Sequence, residues 1–164
     1  MSVYFKIGNL LDAPVDYICH QTNCQGRMGS GIAKQIKERW PVVYDAYISA
    51  YKDREDEILR NCGGFEHMPD VSETLLGYLQ KVPVNDKQTV INMFAQQYYG
   101  YDGKRYTSYD AFWACLGGIR DSVPKGSKIG CGLGGANWEV IFRMIEQVLG
   151  EDYEVYIYML EEEM

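Results

Sequence analysis

Several things are scarce in this chain, and each scarcity removes a class of function. No apolar run approaches membrane-spanning length, and Met1-Ser-Val-Tyr-Phe-Lys6 gives way to Ile7-Gly-Asn before a secretory apolar region could form. The five cysteines are odd in number, lack C-x-x-C spacing and stand mostly beside apolar or glycine neighbours, so they read as reduced thiols of a cytoplasmic protein. Basic residues are few: 16 Lys and Arg against 23 Asp and Glu leave a net charge of −7. That balance argues against a sequence-independent grip on nucleic acid, which draws most of its affinity from clustered Lys and Arg. No His/Cys cluster suggests a metal centre, Glu66 and His67 being isolated, and no cofactor is expected. Linkers, repeats and low-complexity stretches are absent, and with 46% apolar residues the chain, 1–164, reads as one globular domain.

What the chain has in abundance is glycine at two places. Gly130-Cys-Gly-Leu-Gly-Gly-Ala-Asn-Trp138 follows a short apolar strand, Ser127–Ile129, and opens an amphipathic helix near Asn137. Upstream, His20-Gln-Thr-Asn-Cys-Gln-Gly-Arg-Met-Gly-Ser-Gly-Ile-Ala33 follows another strand and opens another helix. Glycine leaves the backbone N–H groups approachable, and the positive end of the following helix dipole favours an anion. One such cradle suggests a phosphate; two at strand ends of an α/β sheet suggest a diphosphate.

The rest of the pattern supplies the sheet. Val3–Ile7 and Asp16–His20 read as strands, and two helices follow, the first with Ile32 and Ile36 inward and broken by Pro41. Lys52–Pro69 reads as a frayed helix end and a loop. Thr74–Val82 and Gln88–Ala95 read as adjacent strands, and Gln96–Tyr106 as a polar, tyrosine-rich loop. A helix beginning around Thr107–Asp110 turns Phe112, Cys115, Leu116 and Ile119 inward. The last helix buries Val140, Ile141, Met144, Ile145, Val148 and Leu149 before a final strand, Tyr153–Leu160. The order β-β-α-α-β-β-α-β-α-β predicts an α/β fold, a mixed sheet with helices on both faces.

Gly8-Asn9-Leu10, the segment His20–Ala33 and the segment Ile129–Trp138 together resemble macro domains, the ADP-ribose-binding modules. The resemblance is to the compact branch that includes terminal ADP-ribose protein glycohydrolases, DNA ADP-ribosyl hydrolase antitoxins and yeast-type ADP-ribose 1''-phosphate phosphatases. It implies a three-layer α/β/α fold with a cleft at the strand ends. Asn9 and Leu10 would meet the adenine and Tyr158 would stack on it. Asn23, Gly26, Met28, Gly29, Ser30, Gly31 and Ile32 would wrap the distal ribose and one phosphate. Gly132, Leu133, Gly134 and Gly135 would hold the diphosphate, Gly130, Cys131 and Ala136 would belong to the same ADP-ribose site, and Gln96 would line the distal end.

Two departures from the family bear on chemistry. Asn9 stands where the family usually has Asp, so the acceptor for the adenine amino group loses its charge. Gln96 or Gln97 stands where the glycohydrolases carry a lysine, and Gly134 where they carry an aspartate; an amide cannot form the adduct a lysine makes with an opened ribose. The catalytic candidates are then His20, a general acid or base, and Asn23, a ribose ligand. Cys24 and Cys131 read as buried thiols, Arg27 as a solvated loop arginine, and Asp102, Lys104, Arg105 and Tyr106 as solvated loop residues. The expected partner is a small ADP-ribose derivative, free or attached to protein or nucleic acid, and no membrane. The expected activity is phosphate release from ADP-ribose 1''-phosphate; a non-catalytic ADP-ribose reader and a hydrolase of ADP-ribosyl adducts or O-acetyl-ADP-ribose are the alternatives.

Overall fold

The computed structural model describes residues 2–29, 31–63, 70–97, 107–132 and 136–160. Ser30, Glu66, His67, Asp102, Lys104, Arg105, Tyr106, Leu133, Gly134 and Gly135, named above, lie outside the described residues.

Six strands form one sheet in the order β1-β6-β5-β2-β4-β3: β1 Val3–Ile7, β2 Tyr17–Asn23, β3 Leu79–Pro83, β4 Thr89–Gln96, β5 Lys128–Gly132 and β6 Glu154–Met159. All neighbours are parallel except β3, which runs antiparallel to β4 at one edge. The central strands β2 and β4 carry five and six consecutive buried residues, as strands covered on both faces should. The edge strand β1 is mostly exposed.

The sheet separates two cores. On one face, α4 (Tyr109–Ser122) and α5 (Trp138–Leu149) pack Phe112, Leu116, Ile119, Ile141 and Ile145 against Cys19, Ile91, Met93, Cys131 and Ile157. On the other, a 3-10 turn at Leu10–Asp12, α1 (Gly31–Arg39), α2 (Pro41–Asn61) and α3 (Val71–Leu75) pack Leu10, Ile36, Val43, Tyr47 and Leu75 against Ile18, Val90 and Phe94. This is the expected mixed sheet with helices on both faces. The period of 2 along β2 and β4 assigns alternate residues to the two cores.

Four boundaries differ from expectation. β2 continues through the polar run to Asn23 rather than ending at His20, because Gln21 and Thr22 find hydrogen-bond partners beside it. α2 stays helical to Asn61; its charged second half keeps Tyr51 and Ile58 against the core, and Arg54 donates to the Thr74 carbonyl at 2.8 Å. Val71–Leu75 is a helix, so Thr74 and Leu75 do not begin the strand expected at Thr74–Val82; Asp70 caps the helix by accepting from Ser72 N at 3.0 Å. β5 runs into the glycines as far as Gly132. In α5, Val140 faces outward and Met144 is only partly buried, while the other four expected residues are buried.

Candidate functional site

Because β1, β6, β5, β2 and β4 are parallel, their carboxyl ends lie along one rim of the sheet, and every motif segment leaves from that rim. From β2 the chain moves through α1 and α2 toward β3 and β4; from β5 it moves through α5 to β6 on the other side. The two glycine segments therefore diverge between the adjacent strands β2 and β5. That is a topological switch point, where open α/β sheets place their ligands.

The segment after β2 is built by side chains. Asn23 Oδ1 accepts from Gln25 N at 3.0 Å, from Arg27 N at 3.4 Å and from the Tyr47 hydroxyl at 2.7 Å, while Asn23 Nδ2 donates to the Arg27 carbonyl at 2.7 Å. Asn23 thus spends its polar atoms shaping the turn. Gly26 takes φ +74° and Gly31, at the start of α1, φ +59°, conformations that disfavour any Cβ. Met28 is buried in the α1/α2 core beside the half-buried Ile32, while Gly29 and Arg27 are exposed. Gln25 Nε2 donates to the Gln97 carbonyl at 3.0 Å, tying the turn to the end of β4.

A second group gathers where β1, β6 and β5 end. Asn9 Oδ1 caps the 3-10 turn, accepting from Leu11 N at 3.0 Å. Leu10, 2% exposed, lies under the glycines of β5: a Cβ at Gly130 would stand 3.0 Å from Leu10 Cδ1, and one at Gly132 3.5 Å from Leu10 Cδ2. Tyr158 pairs with Gly132 in the sheet and its half-buried ring lies 3.9 Å from a Cβ position at Gly8. With Lys6, Ile7, Pro14, Val15, Lys128 and Tyr156, Tyr158 lines a groove of about 270 Å³. Asn9, Leu10, Gly132 and Tyr158 are thus brought together, with Leu10 as floor. Gly132 is not in the left-handed φ region, and a Cβ there would make only an ordinary van der Waals contact with Leu10. Cys131 and Ala136 go elsewhere, into the α4/α5 core.

At the ends of β2 and β4 stands a cluster of neutral polar groups. Thr107 donates to Gln21 Oε1 at 2.7 Å, Gln96 Nε2 lies 3.4 Å from the same oxygen, and Gln96 bridges Thr107 through the backbone. Gln97 Nε2 donates to Ser72 Oγ at 3.1 Å. Gln96 and Gln97 are therefore both engaged by the protein.

His20 lies deeper than expected. It is 1% exposed, and its Nε2 donates to Asn92 Oδ1 at 2.5 Å; Asn92 Nδ2 donates to Gln80 Oε1 at 3.0 Å, and Gln80 Nε2 to the Ala46 carbonyl of α2 at 2.8 Å. This chain crosses β2, β4 and β3 and ends on the helix above. Burial lowers the imidazole pKa to about 4, against a smaller upward pull from Asn92, so the ring is neutral at physiological pH. Cys24 is fully buried and its thiol is pushed up to about 12 by desolvation, leaving no thiolate for nucleophilic work. Among the described residues no group of three or more His, Cys, Asp or Glu converges as a metal site.

Tyr47, Asn92, Gln80 and Thr107 were not singled out by sequence reasoning. A tyrosine at helical spacing reads as core, and nothing local marks it as the partner of a turn 24 residues away. For Asn92, a polar residue interrupting the apolar run of β4 was the available signal.

No family model matches the chain. It is 41% identical over 56 residues, 34% of its length, to the DNA ADP-ribosyl glycohydrolase of Thermus aquaticus, and 44% identical over 53 residues to that of Mycobacterium tuberculosis. These matches span only 16% and 15% of those proteins' own lengths. Among solved structures, the macrodomain of Thermus aquaticus DarG aligns over 96% of this chain and 97% of that one at a TM-score of 0.69 and 21% identity. A macrodomain protein of Streptomyces coelicolor aligns over 96% and 99% at 0.71 and 24% identity. Thermosipho africanus DarTG in complex with ADP-ribose aligns over 97% of this chain and 42% of that one at 0.69 and 15% identity. The likeness covers nearly the whole chain: its fold is that of the macrodomain.

Proposed function

We propose that this domain binds ADP-ribose along the strand-end rim and hydrolyses a bond at the distal ribose. The observation that carries the reading is the divergence of two glycine segments between β2 and β5 of a macrodomain fold. The ADP-ribose bound to the Thermosipho africanus protein and the glycohydrolase names of the curated relatives support it. Adenine would lie by Asn9, Leu10 and Tyr158, the diphosphate above Gly132–Gly135, and the distal ribose by the turn after β2.

The positions of His20 and Asn23 bear on which bond is cut. A phosphatase driven by His20 needs an imidazole that titrates near neutrality beside the ligand, whereas His20 is buried, neutral and bound to Asn92. Asn23 is occupied within the turn. The observations therefore favour an ADP-ribosyl adduct, or its O-acetyl analogue, as substrate over ADP-ribose 1''-phosphate. The neutral cluster of Gln21, Gln96 and Thr107 would orient water at the distal ribose, and binding in this geometry supplies the rate advantage of proximity. The five free thiols suit a cytoplasmic protein.

Calorimetry and turnover test the reading together. ADP-ribose should bind with a dissociation constant of about 1 μM, roughly −8 kcal/mol. ADP-ribosylated DNA, ADP-ribosylated protein and ADP-ribose 1''-phosphate are then incubated in parallel. Release of ADP-ribose from an adduct with little phosphate release is the expected result; rapid phosphate release would restore the phosphatase, and tight binding without turnover would make the domain a reader.

A further inference from the structure

One buried hydroxyl ties the turn after β2 to α2. Tyr47, on α2, has no exposed surface. Its Oη accepts from Arg27 N at 3.0 Å, and its one proton is shared between the Asn23 carbonyl at 2.8 Å and Asn23 Oδ1 at 2.7 Å. The ring is fixed from behind by Phe94 of β4, with centroids 5.4 Å apart and planes at 30°. One turn further along α2, the Tyr51 ring lies beneath Gly26, 3.5 Å from where a Cβ would stand. The turn therefore rests on two tyrosines of one helix face, and only Tyr47 grips it by hydrogen bonds.

We propose that Tyr47 is a positioning residue for ligand recognition: its hydroxyl holds Asn23 and Arg27 so that the turn from Asn23 to Met28 keeps the curvature that receives the distal half of the ligand. The inference rests on the ADP-ribose reading and adds to it the residue on which distal recognition depends. Asn23 cannot hold that curvature alone, because its Oδ1 is the point where Tyr47, Gln25 N and Arg27 N all meet. Burial also raises the phenol pKa, so the hydroxyl stays protonated and remains a donor. Removing it leaves the Arg27 amide and the Asn23 carbonyl without this partner, and such groups turn toward water.

Tyr47→Phe keeps the ring packed on Phe94 and deletes only the hydroxyl. Calorimetry with ADP-ribose and with AMP separates the two halves of the site, since AMP lacks the distal ribose. ADP-ribose affinity should fall about tenfold in Tyr47→Phe, with AMP affinity within about twofold of the parent. Trypsin cleavage after the exposed Arg27, read by mass spectrometry, should accelerate. As a second arm, the Tyr47→Phe, Asn23→Ala double variant should lose clearly less ADP-ribose affinity than the two single losses summed, because the Tyr47 hydroxyl and Asn23 Oδ1 share one contact while Tyr47 also holds the Arg27 amide and the Asn23 carbonyl. Equal losses for both ligands, additive losses in the double variant, or unchanged ADP-ribose affinity with unchanged cleavage would each overturn the inference. Absence of ADP-ribose binding by the parent protein overturns the proposed function and this inference with it; binding by the parent without the selective loss overturns this inference alone.

Discussion

The two faces of the sheet are built on different rules. Toward α4 and α5 the strands present Cys19, Ile91, Met93, Cys131 and Ile157, an apolar surface with polar residues at its margins, Lys81 on the edge strand and Gln21 near the rim. Toward α2 the same strands carry a chain of side chains through the middle of the sheet, from His20 through Asn92 and Gln80 to the Ala46 carbonyl. Apolar packing is non-directional and tolerates many arrangements; a buried polar chain is satisfied in few, and each unmade bond is costly. The α4/α5 face thus contributes bulk stability, while the α2 face fixes how β2, β4, β3 and α2 sit together, and α2 carries the tyrosine that grips the turn after β2.

That contrast can be broken most forcefully on the apolar face. Phe112→Ala empties a fully buried site and should cost about 3–5 kcal/mol in chemical denaturation while leaving ligand affinity of the folded fraction unchanged. A loss of affinity in the folded protein would mean that this face also shapes the site. Next in size is the acid response of the α2 face. His20 has its folded pKa lowered to about 4 from an ordinary value near 6.5, so between those values the unfolded chain binds more protons. Its contribution to stability is therefore intact above about pH 6.5 and falls as pH drops toward 4, by roughly 3 kcal/mol. His20→Gln keeps an amide donor for Asn92 and removes the titration, so its urea midpoint should decline less than the parent's over that window; parallel declines would remove His20 from the acid response. The smallest effect lies at the rim of the same face, where Tyr158→Ala should weaken ADP-ribose binding by about 1–3 kcal/mol through lost stacking on adenine, with little change in melting temperature. Equal affinities for variant and parent would make Tyr158 a sheet residue.

Much of the fold was legible because its signals are local. Pro41 separates α1 from α2, Asn137 caps α5 through Glu139 N and Val140 N, and Phe112, Cys115, Leu116 and Ile119 mark the buried side of α4 by spacing alone. α3 was misread because its few residues follow Asp70 inside a run that also suits a strand. The charged half of α2 was misread because only Tyr51 and Ile58 keep the period there. At the site, the glycine segments were visible because glycines crowd there, with Gly130, Gly132, Gly134 and Gly135 within six residues. The tasks of Asn23 and His20 were not, since a polar side chain can face a ligand or the protein, and its sequence neighbours do not say which.

By itself the sequence determined where the chain could leave its backbone bare, which segments alternate as strands and which repeat as helices, and that two neutral amides, Gln96 and Gln97, follow the apolar run ending in Phe94-Ala95. These follow from steric freedom, periodicity and side-chain identity, properties of a residue and its near neighbours. Only the tertiary structure decided that β5 and β2 lie side by side with their glycine segments diverging, that His20 meets Asn92 72 residues away, and that Tyr47 reaches back to Asn23. Those outcomes depend on strand order and on which buried polar atoms find one another, and burial removes water as the alternative partner, so each was settled by packing across the whole domain.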